Sequence, residues 1–276
     1  MIRIEWEGAP VSDLAQRAVT AIIGATLVIA AMWMGGWLFA AVIALAAVLA
    51  QRELYLLAAK GGATPLVGLG LVLGAVASLW AVLPWAFPVL VMGGLIVVLV
   101  PLARARETPL LDIATTALGV FYPAILAGFI LSLRTTDWAG DAPFWLTVAA
   151  LSGVWGSDTF AYLAGRAFGK HPLFPRVSPK KTWEGAIGGL VGAIAIASAF
   201  KIFALDAEWT WLDVGVVAAA CGVAGPLGDL AESLFKRSAN VKDSGAWLPG
   251  HGGMLDRIDA ALVAVPLVAI WFEWVR

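Results

Sequence analysis

Residues 18–50 read AVTAIIGATLVIAAMWMGGWLFAAVIALAAVLA and contain no charged side chain. A transmembrane helix needs roughly 20 predominantly apolar residues, and shorter ones are tolerated. The run divides most naturally at Gly35-Gly36, because adjacent glycines are poor helix formers. The beginning of the chain therefore predicts two consecutive membrane-spanning helices, 18–34 and 36–50.

The rest of the chain repeats this pattern. Over all 276 residues, 61% are hydrophobic and 13% are charged, whereas soluble domains carry about 25% charged residues. The composition excludes an ordinary soluble enzyme, a disordered chain and a disulfide scaffold. The apolar runs are continuous rather than alternating, which is typical of helices. We predict an all-α polytopic membrane protein with about nine transmembrane helices, the other seven being 65–83, 85–103, 111–131, 144–164, 185–204, 211–230 and 258–275.

The basic residues predict the orientation. Cytoplasmic loops carry an excess of Lys and Arg. Of the 18 Lys and Arg residues, only Arg134, Lys201 and Arg276 fall on one side of the predicted membrane. We therefore predict a cytoplasmic N-terminus and a C-terminus on the opposite side of the membrane. The predicted parts are a cytoplasmic segment 1–17, scaffold helices in 18–142, and catalytic helices and loops in 143–276.

Five carboxylates interrupt the predicted spans or lie at their cytoplasmic ends. A charged residue inside the bilayer is costly and marks function by default, although any one of them could sit at headgroup level beside a Lys or Arg. Clustered carboxylates repel and need a cation, and all-oxygen ligands suit Mg²⁺. We therefore predict a metal site among Asp158, Asp229, Glu232, Asp256 and Asp259.

Two other acidic residues, Glu53 and Asp112, also lie near the ends of predicted spans. We predict that both are interfacial residues without a role in the site.

The segment SLFKRSANVKDSGAWLPGHGGMLDRID, residues 233–259, joins basic residues to a glycine-rich turn. Lysine and arginine supply cationic donors, and glycines let backbone N–H groups approach an anion closely. Together with nearby acids, this pattern predicts a polyphosphate site. The alternative for the basic residues alone is positive-inside topology with contacts to anionic lipid headgroups.

A second cytoplasmic loop, GRAFGKHPLFPRVSPKKTWEG, residues 165–185, is basic and contains three prolines. Thr182 is a predicted N-cap of the next helix, with Glu184 in its first turn. In that helix, glycines at 185, 188, 189 and 192 permit close helix contact. That contact is either packing within the chain or a dimer seam.

The segment 233–259 resembles the signature of the bacterial phosphatidate cytidylyltransferases, also called CDP-diglyceride synthases. The matching elements are Ser233, Lys236-Arg237, Lys242-Asp243, Leu248-Pro249, His251-Gly252-Gly253, Asp256-Arg257 and Asp259. The runs 178–182 and 157–162 also resemble members of this family. The resemblance is confined to about residues 155–260.

The resemblance implies an enzyme that condenses CTP with phosphatidic acid to give CDP-diacylglycerol and pyrophosphate. It also implies Mg²⁺, with room for a second cation, a homodimer and no nucleic acid partner. By similarity, the metal ligands are Asp229, Asp256 and Asp259. The attacking group is already an anionic phosphate oxygen, so no serine or cysteine nucleophile is required. Besides those three aspartates, the candidate catalytic residues are Lys242, Asp243 and Arg257, and the candidate substrate-binding residues are Lys180, Lys181, Ser178, Lys236, Arg237, His251, Gly252, Gly253, Asp158 and Tyr162.

Two other functions remain open on the sequence alone. A related membrane enzyme, such as a polyprenol kinase or an archaeal-lipid cytidylyltransferase, would also use CTP on a lipid. An anion transporter would place its acids near the midplane and break helices in matching halves. The acids here lie near one interface, which disfavours transport.

Overall fold

A computed structural model describes residues 24–103, 108–241, 244–245 and 252–276 of the chain. The predicted cytoplasmic segment 1–17 lies outside these residues. Helices form most of the described structure. They are α1 (Gly24–Met34), α2 (Gly36–Lys60), α3 (Val67–Ser78), α4 (Ala86–Leu99), α5 (Pro109–Gly119), α6 (Leu126–Arg134), α7 (Ala142–Phe168), α8 (Trp183–Phe203), α9 (Trp211–Ala219), α10 (Gly225–Ser238) and α11 (Leu255–Ile270).

Each of the nine predicted spans contains a helix. Within the described residues, six continuous helices are long and apolar enough to cross a membrane: Gly36–Lys60, Ala86–Ala103, Pro109–Arg134, Trp183–Phe203, Trp211–Ser238 and Leu255–Val275. Helices α1 and α3 are shorter, and α7, with 27 residues, is not among the six. Ser152, Ser157, Asp158 and Thr159 make α7 less apolar. The chain is a multi-pass membrane protein, and the count of nine stays a prediction.

Two of these spans join two helices through a π-helical turn. Val120–Ile125 connects α5 to α6 and contains Pro123, and Ala220–Ala224 connects α9 to α10. Proline removes one backbone donor from a helix, and π turns occur frequently at functional sites. Both turns adjoin helices that carry polar residues into the interior of the protein.

The predicted start of α8 is confirmed. The Thr182 side chain accepts a hydrogen bond from the Gly185 backbone N–H at 3.1 Å, and Glu184 lies in the first turn. This cap satisfies one of the donors that the beginning of a helix leaves unpaired.

The loop before α8 contains a β-hairpin that the all-α prediction lacked. Strand β1 (Pro172–Phe174) pairs antiparallel with β2 (Ser178–Thr182), with Pro172 opposite Thr182 and Phe174 opposite Ser178. Five residues are too few for an amphipathic strand pattern to be recognised, and prolines mark turns as often as edge strands.

The predicted interfacial position of Glu53 and Asp112 is wrong, because both side chains are completely buried within the protein. Helix α2 continues to Lys60, well past the predicted end at residue 50. Asp112 accepts hydrogen bonds from the Thr64 backbone N–H at 2.6 Å and from the Thr64 hydroxyl at 2.7 Å. Charged residues lowered the apolar character of this part of α2, yet Glu53 faces the protein interior rather than headgroups.

The glycines of α8 face α7. A Cβ at Gly189 would lie 2.9 Å from both the carbonyl oxygen and the Oγ of Ser157, and one at Gly185 would lie 2.9 Å from the Ala161 carbonyl oxygen. Backbone oxygens cannot move away as a flexible side chain can. The close contact is thus used within the chain, which leaves the homodimer a prediction without support from these glycines.

We expect Gly189→Ala to destabilise the protein by about 1–3 kcal/mol, because the added methyl group overpacks the α7–α8 contact. The matched control is Gly215→Ala on α9, where a Cβ would meet no atom within 4 Å. There, the substitution should be neutral or stabilise by up to about 1 kcal/mol through helix propensity. Thermal unfolding in detergent measures both, and equal stability of the two variants would contradict the packing argument.

One hydrophobic core runs through both predicted halves of the chain. It includes Phe39, Leu131 and Leu133 from the first half and Leu146, Leu262 and Val265 from the second. The predicted division near residue 142 is therefore not a break in the packing, and the catalytic role of 143–276 stays a prediction.

Candidate active site

Helices α10 and α11 approach each other closely at Gly228. A Cβ at this position would lie 2.5 Å from the Asp259 carbonyl oxygen and 3.1 Å from the Ala260 Cα. Glycine is therefore required for the contact. It places Asp229, the next residue on α10, beside the first turns of α11.

Three carboxylates meet at this contact. One oxygen from each of Asp229, Glu232 and Asp259 lies within 4.8 Å of the other two. Glu232 is 1% exposed and Asp259 is 7% exposed, whereas Asp229 is partly open to solvent. Two of the three predicted metal ligands are thus together, and Glu232 joins them. The carboxylates of the predicted metal site include Glu232, but the ligands implied by the family resemblance do not.

Two lysines neutralise part of this charge. The Lys181 ammonium, at the end of β2, lies 2.7 Å from Asp229 Oδ2 and 3.2 Å from the Pro226 carbonyl oxygen. The Lys236 ammonium lies 2.5 Å from Glu232 Oε2 and 2.5 Å from Asp256 Oδ1. Lys236 therefore bridges α10 to the start of α11.

Asp256 is held differently from the other predicted ligands. Its Oδ1 accepts from Lys236, and its Oδ2 accepts from the Gly253 N–H at 3.0 Å and the Ser244 hydroxyl at 2.9 Å. The structure connects Asp256 to the carboxylate cluster through Lys236 and Glu232. Its role as a metal ligand stays a prediction.

Tyr122 is a site residue that the sequence analysis missed. It lies in the π-helical turn between α5 and α6 and is 6% exposed. Its buried hydroxyl has no hydrogen-bond partner among the residues that the structure describes. The carboxylates of Asp259, Glu232 and Asp229 act on it electrostatically. A single tyrosine in an apolar span carries no sequence pattern, although its place beside Pro123 is a weak signal.

Helix α7 presents further predicted residues at the same end of the bundle. Asp158 is exposed and interacts electrostatically with Asp229 and Lys181. Tyr162 is 63% exposed, and its hydroxyl accepts a hydrogen bond from Arg166 at 3.2 Å. Asp158 thus borders the carboxylate cluster, and Tyr162 lies one helical turn further along α7.

The hairpin supplies the remaining upstream candidates. Ser178 is half-buried at the start of β2, and Lys180 is exposed two residues later. His171 Nδ1 lies 2.6 Å from Glu184 Oε1, and the histidine side chain is 75% exposed.

Part of the segment 233–259 lies outside the part of the chain that the structure describes. Lys242, Asp243 and His251 lie outside the described residues. Of the other candidates, Gly252 has a positive φ of 75°. Arg237 is exposed and donates to the Val241 carbonyl oxygen at 3.3 Å, and Arg257 follows Asp256 on α11.

The chemistry of these donors fits a hard cation. Asp229, Glu232 and Asp259 offer only carboxylate oxygens, the ligands that Mg²⁺ prefers. Within the described residues, Glu232 Oε1 and the Tyr122 hydroxyl have no hydrogen-bond partner. Buried carboxylates at this separation repel. A bound divalent cation would remove that repulsion.

Comparisons with known proteins show which family the chain resembles. A sequence model described as "Cytidylyltransferase family" matches residues 15–275. A protein of Synechocystis sp. named "Phosphatidate cytidylyltransferase" is 32% identical over 92% of this chain and 94% of its own length. A Brucella abortus protein of the same name is 36% identical over 94% of this chain and 93% of its own length. "Phosphatidate cytidylyltransferase 5, chloroplastic" of Arabidopsis thaliana is 35% identical over 82% of this chain and 63% of its own length.

Proposed function

This chain belongs to the cytidylyltransferase family, and from that membership we propose that it is a phosphatidate cytidylyltransferase. It would condense CTP with phosphatidic acid to give CDP-diacylglycerol and pyrophosphate. The observation that carries the proposal is the similarity to enzymes of that name over more than nine-tenths of the chain. The buried carboxylates and lysines at one end of a membrane bundle support it, because they suit a polyphosphate substrate and a lipid partner.

The reaction needs positioning and charge neutralisation rather than a protein nucleophile. A phosphate oxygen of the lipid forms a bond to the α-phosphorus of CTP. The bond from that phosphorus to the bridging oxygen breaks, and pyrophosphate leaves with the electron pair. Holding two anionic reactants in line removes much of the entropic barrier. Preorganised cationic donors stabilise the charge that builds up on the leaving group.

We propose that Asp229, Glu232 and Asp259 hold Mg²⁺, and that Asp256 binds the same ion or a second cation. When bound, the metal would offset charge on the triphosphate and orient it. Glu232 is fully buried and anchored by Lys236, so it fixes the geometry of the site. Asp229 is partly exposed and is the carboxylate that a substrate-bound ion reaches first.

The basic residues divide by location. Lys181 and Lys236 already contact the carboxylates, so they lie within reach of phosphates bound there. Lys180 is exposed on the hairpin, and Arg237 is exposed at the end of α10. We propose that Lys180, Lys181 and Ser178 recruit either substrate's phosphate. Lys236, Arg237 and Arg257, with Lys242, Asp243, His251, Gly252 and Gly253, would receive the triphosphate.

The topology of the proposed enzyme follows from the basic residues. We propose insertion in the inner membrane, with nine spans, the N-terminus in the cytoplasm, the C-terminus in the periplasm and the site on the cytoplasmic side. CTP is soluble and phosphatidic acid is membrane-bound, so the site must be open to both. Asp158, which borders the cluster, and Tyr162, one helical turn further along α7, are both exposed and would line that opening. Assembly into a homodimer is part of the same proposal.

Incubation of the purified protein with labelled CTP, Mg²⁺ and liposomes tests the function. With phosphatidic acid we expect one pyrophosphate released for each CDP-diacylglycerol formed. Product only with a polyprenol or an archaeal lipid phosphate would overturn phosphatidate as the substrate and indicate a related CTP-dependent enzyme. No CTP-dependent product with any of these lipids would overturn the function itself.

A further inference from the structure

Glu53 connects the first half of the chain to the beginning of α11. Its side chain is completely buried on α2, about 200 residues before α11 in the sequence. Its Oε1 accepts from the Met254 N–H at 2.9 Å, and its Oε2 accepts from the Leu255 N–H at 2.8 Å. These two donors lie at the first turn of α11, where helix geometry leaves backbone N–H groups unpaired.

A carboxylate suits this position for two reasons. It accepts hydrogen bonds with both oxygens, and charge-assisted bonds of this kind are stronger than neutral ones. It also places negative charge at the positive end of the α11 helix dipole. Capping residues normally come from the same chain segment. Here the cap comes from a different transmembrane helix, so it fixes the beginning of α11 relative to α2.

Ser244 extends this connection to Asp256. Its hydroxyl lies 3.1 Å from Glu53 Oε2 and 2.9 Å from Asp256 Oδ2. The neighbouring glycines make room, since a Cβ at Gly245 would lie 2.6 Å from Glu53 Oε1 and one at Gly253 would clash with both Glu53 and Ser244. Glu53, Ser244 and Asp256 therefore form one continuous polar chain.

We propose that Glu53 is a positioning residue of the active site: by capping α11 from α2, it sets the places of Asp256 and Asp259. The inference rests on the proposed function only for what Asp256 and Asp259 do. Its structural part, a cap that orders residues 252–259, is independent of any substrate. The first half of the chain thus contributes to the site and is more than a scaffold.

Glu53→Gln tests the proposal, because the shape is kept while the charge and one acceptor are lost. The Gln amide would point its own N–H groups at a backbone donor. We expect amides 254 and 255 to exchange with deuterium about 10-fold faster. We also expect the Mg²⁺ concentration for half-maximal turnover to rise about 10- to 100-fold, as when a partner of a metal ligand is lost.

Asp112→Asn is the matched control. Asp112 is an equally buried carboxylate that accepts a backbone N–H, but it does so at Thr64. This variant should lower the melting temperature while the Mg²⁺ dependence and the exchange at 254–255 stay as in wild type. A merely structural role for Glu53 would reduce the active fraction without shifting the Mg²⁺ concentration for half-maximal turnover.

Ser244→Ala keeps the Glu53 cap but removes the hydroxyl that connects Glu53 to Asp256. This variant tests the proposal if Glu53→Gln fails to fold. We expect a smaller rise in the Mg²⁺ requirement, with amides 254 and 255 still protected. The proposal would be overturned if the Mg²⁺ dependence were unchanged in both Glu53→Gln and Ser244→Ala. If only Ser244→Ala folds, an unchanged Mg²⁺ dependence in that variant would overturn it. Hydrogen exchange and the rise in melting temperature with Mg²⁺ need no turnover. A wild-type protein that makes no CDP-lipid would therefore overturn the proposed function and leave this test intact.

Discussion

Asp229→Asn should lower CTP-dependent turnover of phosphatidic acid by about 100-fold or more, the scale seen when one charge-stabilising group is lost. Asp229 is the most exposed member of the carboxylate cluster and also pairs with Lys181. The amide is nearly the same size, so packing is kept while a ligand charge disappears. The metal-free protein should fold normally, because the substitution relieves repulsion between neighbouring carboxylates.

A binding readout separates metal loss from other causes. Mg²⁺ that binds only the folded protein raises its melting temperature, and in Asp229→Asn most of this rise should vanish. Asp141→Asn is the control, since Asp141 is exposed at the beginning of α7 and makes no side-chain cap hydrogen bond. Near wild-type turnover and an unchanged Mg²⁺ effect in Asp229→Asn would refute its assignment as a ligand.

Lys236→Met should lower the free energy of unfolding by about 3–5 kcal/mol, the usual cost of breaking a buried ion pair on one side. Lys236 is 12% exposed and bridges Glu232 and Asp256. Methionine keeps most of the aliphatic stem but leaves two buried carboxylates facing each other. Thermal unfolding in detergent measures the loss.

Arg237→Met is the neighbouring control. Its exposed guanidinium donates a hydrogen bond to the Val241 backbone oxygen. A surface change of this kind usually alters stability by no more than about 0.5 kcal/mol. Added Mg²⁺ should stabilise Lys236→Met more than it stabilises wild type, because a cation can replace the missing ammonium. Equal losses of stability in both variants would argue against the bridge.

The sequence predicted the helices well because their signals are local. Apolar runs locate the spans to within a few residues at most ends, and Thr182 is recognisable as a cap from its own position. The end of α2 was missed because hydropathy averaged along the sequence falls at Arg52 and Glu53. That average is the same whether these side chains face the protein interior or its surface. The hairpin before α8 was missed because its strands are too short to show a period.

The sequence indicated which residues belong to the site, but not which of their side chains pair with one another. Intramembrane acids stand out by their cost, so Asp229 and Asp259 were found. The carboxylates that pair with the Lys236 ammonium depend on the angle at which α10 crosses α11 at Gly228. A sequence pattern does not contain that angle. Glu53 was misassigned for the same reason, since its partners lie about 200 residues away.

The ion pairs of Lys181 and Lys236 have a consequence for how a charged substrate can enter. Each ammonium forms an ion pair with a carboxylate, so the opposite charges of the site neutralise each other when no substrate is bound. On the proposed function, a metal–triphosphate complex is also a set of paired charges. Its arrival would be an exchange of partners, with carboxylates turning to the metal and lysines turning to phosphate. No lone charge needs to be desolvated along the way, and departure of pyrophosphate would let the original pairs re-form.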